Sequence, residues 1–305
     1  MIPIDTETLL FRVGLQAPPI VCLQAGPGIW HRTDPWQDIV SKCLHRGVVG
    51  FHTAYDAACI MASDNTLIPA VFDAYQGNRV TCGLVRQKLL DVADGSKQTH
   101  GRTKGAYSLA GVARRVLGED IEKGAVRVRY SELWDTPVNE WPEAFREYAA
   151  QDTAVTERLW RWQQGSSAYL EDQYRQARAA LWLQLSSVWG LRVDTEAVER
   201  YRVQVTAKRD TVGTALQNRG LLRKDFSRDT KKAKEALVAA YATLGKAPPT
   251  TEKGETSLTR ESCENSGDTW LEQYAEFASL QHELSTSIPA LEKTNQIHPW
   301  YDTIL

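Results

Sequence analysis

Short apolar runs alternate with polar punctuation through the first half of the chain, and longer runs of helical period fill the second half. Ile2–Thr6 and Ile20–Gln24 read as the first two strands of a hairpin-type sheet, joined across Gly14 and Pro18-Pro19. Asp34-Pro35-Trp36 then opens a helix through Leu44, with Asp34 as N-cap and Pro35 at the first helical position. Gly47–Phe51 follows as a short buried strand, and Asp56 begins the next helix. That helical region continues through Ile60–Ala74 around Pro69, and Thr81–Leu90 leads to a polar loop, Asp91–Gly105, whose composition suggests mobility. Tyr107 starts a helix that ends near Gly118, and Arg127–Trp134 is irregular or extended. Trp141-Pro142 introduces a helix with periodic apolar positions at Phe145, Tyr148, Ala149, Val155, Leu159 and Trp162.

After Gly165-Ser166-Ser167 the period is helical throughout. Helices are expected from about Leu170 to Trp189, from an Asp194 cap to about Arg219, over Ser227–Leu244, and over Thr269–Leu284, with a Pro/Thr/Gly loop at Ala247–Ser257. The pattern therefore divides into an α/β domain with a mixed sheet over residues 1–165 and an all-α domain over 166–305, in which strands disappear. Trp182 and Trp189, at helical spacing, are expected in core or interdomain packing, and Trp300 and Tyr301 on the surface.

A chain of 305 residues with 42% hydrophobic and 24% charged content has room for two such domains. The formal net charge of −2 conceals an asymmetry: Glu196–Lys246 holds 12 Lys and Arg against 6 Asp and Glu, leaving −8 elsewhere. A basic module thus follows an acidic one. The five cysteines form no Cys-x-x-Cys pair and sit in apolar surroundings, which reads as reduced thiols in a cytoplasmic protein. No apolar run reaches the roughly 18 residues of a membrane span, and the N-terminus lacks a signal-peptide pattern, so neither export nor insertion is expected. P-loop, Gly-x-Ser-x-Gly and His-Glu-x-x-His motifs are absent from the sequence.

Four acidic residues carry the chemistry. Asp5 and Glu7, at i and i+2 on a strand, share one face and can ligate one cation together. Asp56 follows a Gly-flanked apolar strand at a strand-to-helix junction, where site residues of open α/β sheets gather, although a helix cap would read the same way. Asp152 lies on a largely apolar helix face, where an unpaired carboxylate is costly to bury and a cation would remove that cost. Tyr148, one turn earlier, can orient a water beside it; an ordinary phenol titrates near ~10 and is a poor base at neutral pH. Taken alone, each position has a plainer reading as surface charge, cap or core. Their order is the informative part.

That order, Asp-x-Glu, then Asp, then Tyr-x-x-x-Asp, resembles the DEDDy branch of the DnaQ-like 3′-5′ exonuclease superfamily, and specifically the proofreading domain of family A DNA polymerases. Gly50–Asp56 is similar to the family's second motif, and Tyr107–Ala113 with Trp141-Pro142-Glu143 to its intervening and third-motif segments. The resemblance implies a ribonuclease H-like fold and two divalent metal ions, Mg²⁺ or Mn²⁺, on Asp5, Glu7, Asp56 and Asp152. Asp5, Glu7 and Asp152 would hold the ion that activates water, and Asp5 and Asp56 would help hold a second near the leaving 3′ oxygen. Asp5, Glu7, Asp56, Tyr148 and Asp152 are then catalytic, with Thr6 and His52 as substrate contacts; His52 stands where the family often carries Asn.

Further along, Gly190-Leu191-Arg192-Val193-Asp194 resembles the entry to the family A thumb, and Pro249–Ser257 and Tyr274–Thr286 its tip loop and base helix. The implied thumb grips duplex DNA, which makes Arg223, Lys224, Arg228, Lys231 and Lys232 candidate phosphate contacts. No palm or fingers motif follows, so the resemblance implies a truncated or split polymerase partnered by a separately encoded palm and fingers polypeptide, in a bacterial or phage-infected cell. An RNase D-like exoribonuclease and a non-catalytic DNA-clamping subunit are the alternatives.

Overall fold

Strand β1 (Ile2–Thr8) runs two residues beyond the expected Ile2–Thr6, because Glu7 and Thr8 extend its antiparallel ladder onto β2 (Ile20–Ala25), with a register shift between them. The computed structural model describes residues 1–305 except 13, 102, 122–124, 166–169, 252–253, 302–303 and 305. A third strand, β3 (Gly28–His31), pairs antiparallel with β2; its four residues are too few to give a periodic signal. Beyond helix α1 (Trp36–Arg46), β4 (Val48–Gly50) pairs parallel with β1. The resulting mixed sheet has the order β3-β2-β1-β4-β5, with β5 (Val80–Cys82) parallel to β4.

Helices interleave with these strands. Asp34 does not cap α1: its carboxylate accepts instead from the His31 main-chain N–H at 2.7 Å, closing the turn after β3, and Pro35 occupies the cap position. Helix α2 (Thr53–Ser63) starts at Thr53, which places Asp56 in its first turn and His52 at its N-cap. The expected continuous region to Ala74 breaks where the Asp64 side chain accepts from the Thr66 N–H, and α3 (Ile68–Gln76) restarts with Pro69 in its first turn. Helix α4 (Gly83–Ala93) leaves β5, and α5 (Lys97–Gly101) occupies part of the expected loop. Helix α6 (Leu109–Leu117) is capped by Ser108 and ends at left-handed Gly118, as its punctuation requires. The long α7 (Glu143–Gly165) and α8 (Gln173–Trp189) complete the series.

Two apolar layers sandwich the sheet. On one face Ile4, Leu23, Ala25, Val48 and Val80 pack with α1, α2, α3 and α8. On the other, Val21 and Cys22 meet Tyr130, Trp141, Phe145, Tyr148 and Ala149, which fix α7 against β1 and β2. All five cysteines are buried.

Chain contacts divide the molecule into Met1–Leu191 with His298–Leu305, and Arg192–Ile297. The first unit therefore extends past Gly165: Ala177 and Leu181 of α8 belong to the sheet-face core, so that helix is part of the α/β unit. Residues 166 and 167 of the expected linker lie outside the described residues, as do 252 and 253 of the Ala247–Ser257 loop.

The second unit is largely helical. After the two-residue strand β6 (Leu191–Arg192), α9 (Thr195–Arg219) is capped by Asp194 and stopped by left-handed Gly220. Helix α10 (Thr230–Thr243) is capped by Asp229, α11 (Arg260–Glu264) by Thr259, and α12 (Thr269–His282) by Asp268. Helix α13 (Ile288–Glu292) and a second two-residue strand, β7 (Gln296–Ile297), follow, so strands do not vanish entirely from this half. Leu216, Leu221, Ala233, Tyr274 and Phe277 form its largest core cluster.

The tryptophans depart from expectation. Trp182 and Trp189 are 60% and 82% exposed, because α8 offers the sheet its Ala177 and Leu181 face and carries both rings elsewhere. Trp162 is likewise exposed on α7, whereas Trp300 and Tyr301 lie on the surface as expected. No helix among the described residues is long and apolar enough to cross a membrane.

One packing detail yields a stability test. A Cβ on Gly213 of α9 would stand 2.3 Å from Phe226 Cε1 and 3.0 Å from Phe277 Cε2, and Phe226 is itself held at φ 61°. Overpacking typically costs about 1–3 kcal/mol, and more where a ring cannot retreat. That exceeds the ~1 kcal/mol by which Ala favours a helix over Gly. Gly213→Ala is therefore expected to lower the melting temperature by a few degrees in a thermal scan; an unchanged or raised value would show that the Phe226 ring yields.

Candidate functional site

Asp5 and Glu7 project from the same face of β1, opposite Gln24 and Cys22 of β2, and this is the face on which α7 packs. Phe145, Tyr148 and Ala149 anchor α7, and Asp152 stands one turn beyond Tyr148. The carboxylate oxygens of Asp5, Glu7 and Asp152 come within 4.8 Å of one another. Residues nearly 150 positions apart in sequence thus share one ligand-sized space.

Asp56 joins this group electrostatically but stands outside the close triad. It is 5% exposed, and one of its carboxylate oxygens accepts from the Thr6 hydroxyl at 2.8 Å. Thr6, buried between the two site acids in sequence, faces the other side of the strand from them and so positions Asp56 rather than meeting solvent. Burial raises the Asp56 pKa to about 7, opposed by hydrogen bonds from the Thr6 hydroxyl and main chain and helped upward by the Asp152 charge. Asp5 is raised well above the usual carboxylate range, first by burial, then by the charges of Asp56, Glu7 and Asp152. Four acids therefore act on one another across a desolvated groove.

Around the acids the structure places several groups for which the sequence gives little signal. Tyr130 lies between α7 and the sheet, with its ring 6.2 Å from that of Tyr148 and its hydroxyl donating to the Phe145 carbonyl at 2.9 Å. Burial and then the Glu7 charge push its phenol far up, so it stays protonated. Gln24, directly across from Asp5, is buried and leaves Oε1 without a hydrogen-bond partner among the described residues. A glutamine within Ile20–Ala25, whose strand is otherwise apolar, is the one legible sign of it.

Tyr148, proposed to orient a water, is buried in the cluster that holds α7 and sits on the helix turn leading to Asp152. His52 is half-buried and stacks on Tyr55 with centroids 6.2 Å apart. Burial and then the Lys88 charge lower its pKa, which leaves the imidazole neutral; it stands outside the close carboxylate group. In the second unit Arg223, Lys224, Arg228, Lys231 and Lys232 are all exposed, around the isolated bridge from Leu222 to Arg228 and the first turn of α10.

The donor set suits a hard divalent cation. Oxygen ligands alone converge, their mutual repulsion favours cations, and an orphaned amide oxygen lies on the same sheet face. Without cations Asp5 and Asp56 retain protons in the fold that they lose when unfolded. For Asp56 that stabilisation is complete below the ordinary carboxylate pKa near ~4. It is lost as pH rises through about 7. Asp56→Asn is accordingly expected to raise the melting temperature of EDTA-treated protein by several degrees at pH 8 and by less at pH 5. Mn²⁺ should raise the unsubstituted protein's melting temperature at pH 8. Equal shifts at both pH values would show that the Asp56 carboxyl is not under electrostatic strain. Compared with protein-family models and with curated proteins, the chain matches none.

Proposed function

We propose that this chain is a metal-dependent 3′-5′ exodeoxyribonuclease of the DEDDy type, removing nucleoside 5′-monophosphates from DNA 3′ ends as the proofreading part of a family A DNA polymerase. The observation that carries the reading is the meeting of Asp5, Glu7 and Asp152 within 4.8 Å, with Asp56 electrostatically joined to them. The mixed sheet with acids on its central strand agrees with the ribonuclease H-like, DnaQ-like fold that the motif order implies. The largely helical second unit, with its exposed cations, agrees with a thumb that holds DNA.

Asp5, Glu7 and Asp152 would hold one cation, and Asp5 with Asp56 would help hold a second. Bound Mg²⁺ or Mn²⁺ would supply Lewis acidity for water activation and for charge building on the leaving 3′ oxygen. Thr6 keeps the Asp56 carboxylate turned toward β1. The phenol of Tyr148, one turn before Asp152 on α7, would orient the attacking water by a hydrogen bond. Neutral His52, at the start of α2, offers a hydrogen bond and a ring to the terminal nucleotide without adding charge. The exposed cations of the second unit would neutralise backbone phosphates, an interaction that weakens with salt.

Purified protein incubated with a 3′-ended oligodeoxynucleotide and Mg²⁺ should release nucleoside 5′-monophosphates. Asp5→Ala or Asp152→Ala should reduce that release by at least about a thousandfold, since electrostatic stabilisation is usually the largest single contribution. Undiminished activity in either variant would refute the assignment. RNA of the same sequence should be a poorer substrate; a preference for RNA would move the reading to an exoribonuclease.

The role of Tyr148 has a separate signature. Tyr148→Phe keeps the ring that packs α7 and removes the hydroxyl, so kcat should fall about 10- to 100-fold while metal affinity and melting temperature hold. A kcat equal to that of the unsubstituted protein would reduce Tyr148 to packing.

A further inference from the structure

A polar cleft of about 460 Å³ opens in the second unit, between α12 and the segment that enters α10. Its walls carry the donors Arg228, Arg260, Ser279, His282 and Ser287, and Tyr274 lies beneath them. Tyr274 is 1% exposed, and its hydroxyl has no hydrogen-bond partner among the described residues. Burial raises its pKa and the Arg228 charge acts against that rise, so guanidinium and phenol are near neighbours.

The acids of this region are already engaged. Glu283, the one carboxylate on the wall, accepts from the Tyr201 hydroxyl; Glu276 pairs with Lys208, and Glu264 with Arg260 at 2.7 Å. Arg228 and His282 have no acidic partner among the described residues. The Arg260–Glu264 pair is an exposed i, i+4 contact of little strength, readily exchanged for a better anion. One rim is a π-helical turn, Glu283–Ser287, a distortion that recurs at functional sites. Leu258, Ala275 and Ala278 supply an apolar side.

We propose that this cleft binds a small phosphate monoester, its phosphate held between the Arg228 and Arg260 guanidiniums and its organic part lying against Leu258, Ala275 and Ala278. Planar guanidiniums match phosphate oxygens in bidentate fashion, and the unmatched Tyr274 phenol adds a donor beside the Ser287 hydroxyl, whereas Ser279 already donates to the Ala275 carbonyl at 3.2 Å. The volume falls in the range that encloses small ligands, whereas a duplex backbone presents singly charged diesters on a convex surface. The cleft shares no residue with the acidic groove, and of its lining Arg228 is also among the cations that the nuclease reading assigns to backbone phosphate.

Isothermal titration of the full chain with adenosine 5′-monophosphate, in EDTA, tests it. Saturable binding should weaken at least about tenfold in Arg228→Gln and severalfold in Tyr274→Phe, at unchanged melting temperature. It should survive in Asp152→Asn and be displaced by inorganic phosphate. No saturable binding, or binding indifferent to Arg228→Gln, would overturn the proposal. Loss of binding in Asp152→Asn would assign the nucleotide to the acidic groove and overturn it equally. Arg228-dependent binding of a blunt DNA duplex without any of the mononucleotide would make Arg228 a backbone contact instead.

Discussion

Mutual repulsion among Asp5, Glu7, Asp56 and Asp152 is the constraint around which the first unit is arranged. Carboxylates buried together oppose folding, and the raised pKa values of Asp5 and Asp56 express that opposition, through burial first and neighbouring charge second. The fold tolerates it because two apolar layers clamp the sheet from both faces, and because the acids are shared among three elements of that clamp. Asp5 and Glu7 are carried by the central strand, Asp56 by α2 beneath it, and Asp152 by α7 above it.

Close approach at two points makes the convergence possible. At Gly50 a Cβ would come within 2.8 Å of Thr53 Cγ2 and 3.1 Å of the Ile4 carbonyl oxygen. Its absence lets the start of α2 settle against β1, which is what brings Asp56 to the Thr6 hydroxyl. On the opposite face, Tyr130 meets Trp141 and Phe145 edge-on and fixes the rotation of α7. Rotated by one residue, about 100°, the helix would carry Asp152 off the groove. Packing residues here set the geometry of the charged ones.

What the sequence makes legible follows from these physical periods. The i, i+2 spacing of Asp5 and Glu7 and the i, i+4 spacing of Tyr148 and Asp152 are local, so the shared faces could be read directly. The Asp194 cap and the helix ends near Gly118 and Arg219 were equally plain, because caps and left-handed glycines act within one turn. Tertiary choices were not. The Asp34 carboxylate is taken by the His31 main-chain N–H in the turn after β3 and leaves the helix start uncapped. Trp182 and Trp189 obey a helical period, yet which stripe of α8 faces the sheet depends on the partner surface, where small Ala177 fits. Thr6 is legible as a strand residue, but its bond to Asp56 spans 50 positions and leaves no local trace.

The basic stretch Glu196–Lys246 acquires a reason on the proposed reading, within a second unit that as a whole balances 16 Lys and Arg against 16 Asp and Glu. A groove holding several carboxylates repels a polyanion at short range, so a nucleic-acid end can enter only when cations have neutralised it; occupancy by metal and by substrate are then thermodynamically linked. Exposed cations placed beside the acids would relieve the repulsion permanently and weaken the cation site. Carried instead by the Glu196–Lys246 stretch, they would attract backbone phosphates through an interaction that salt screens.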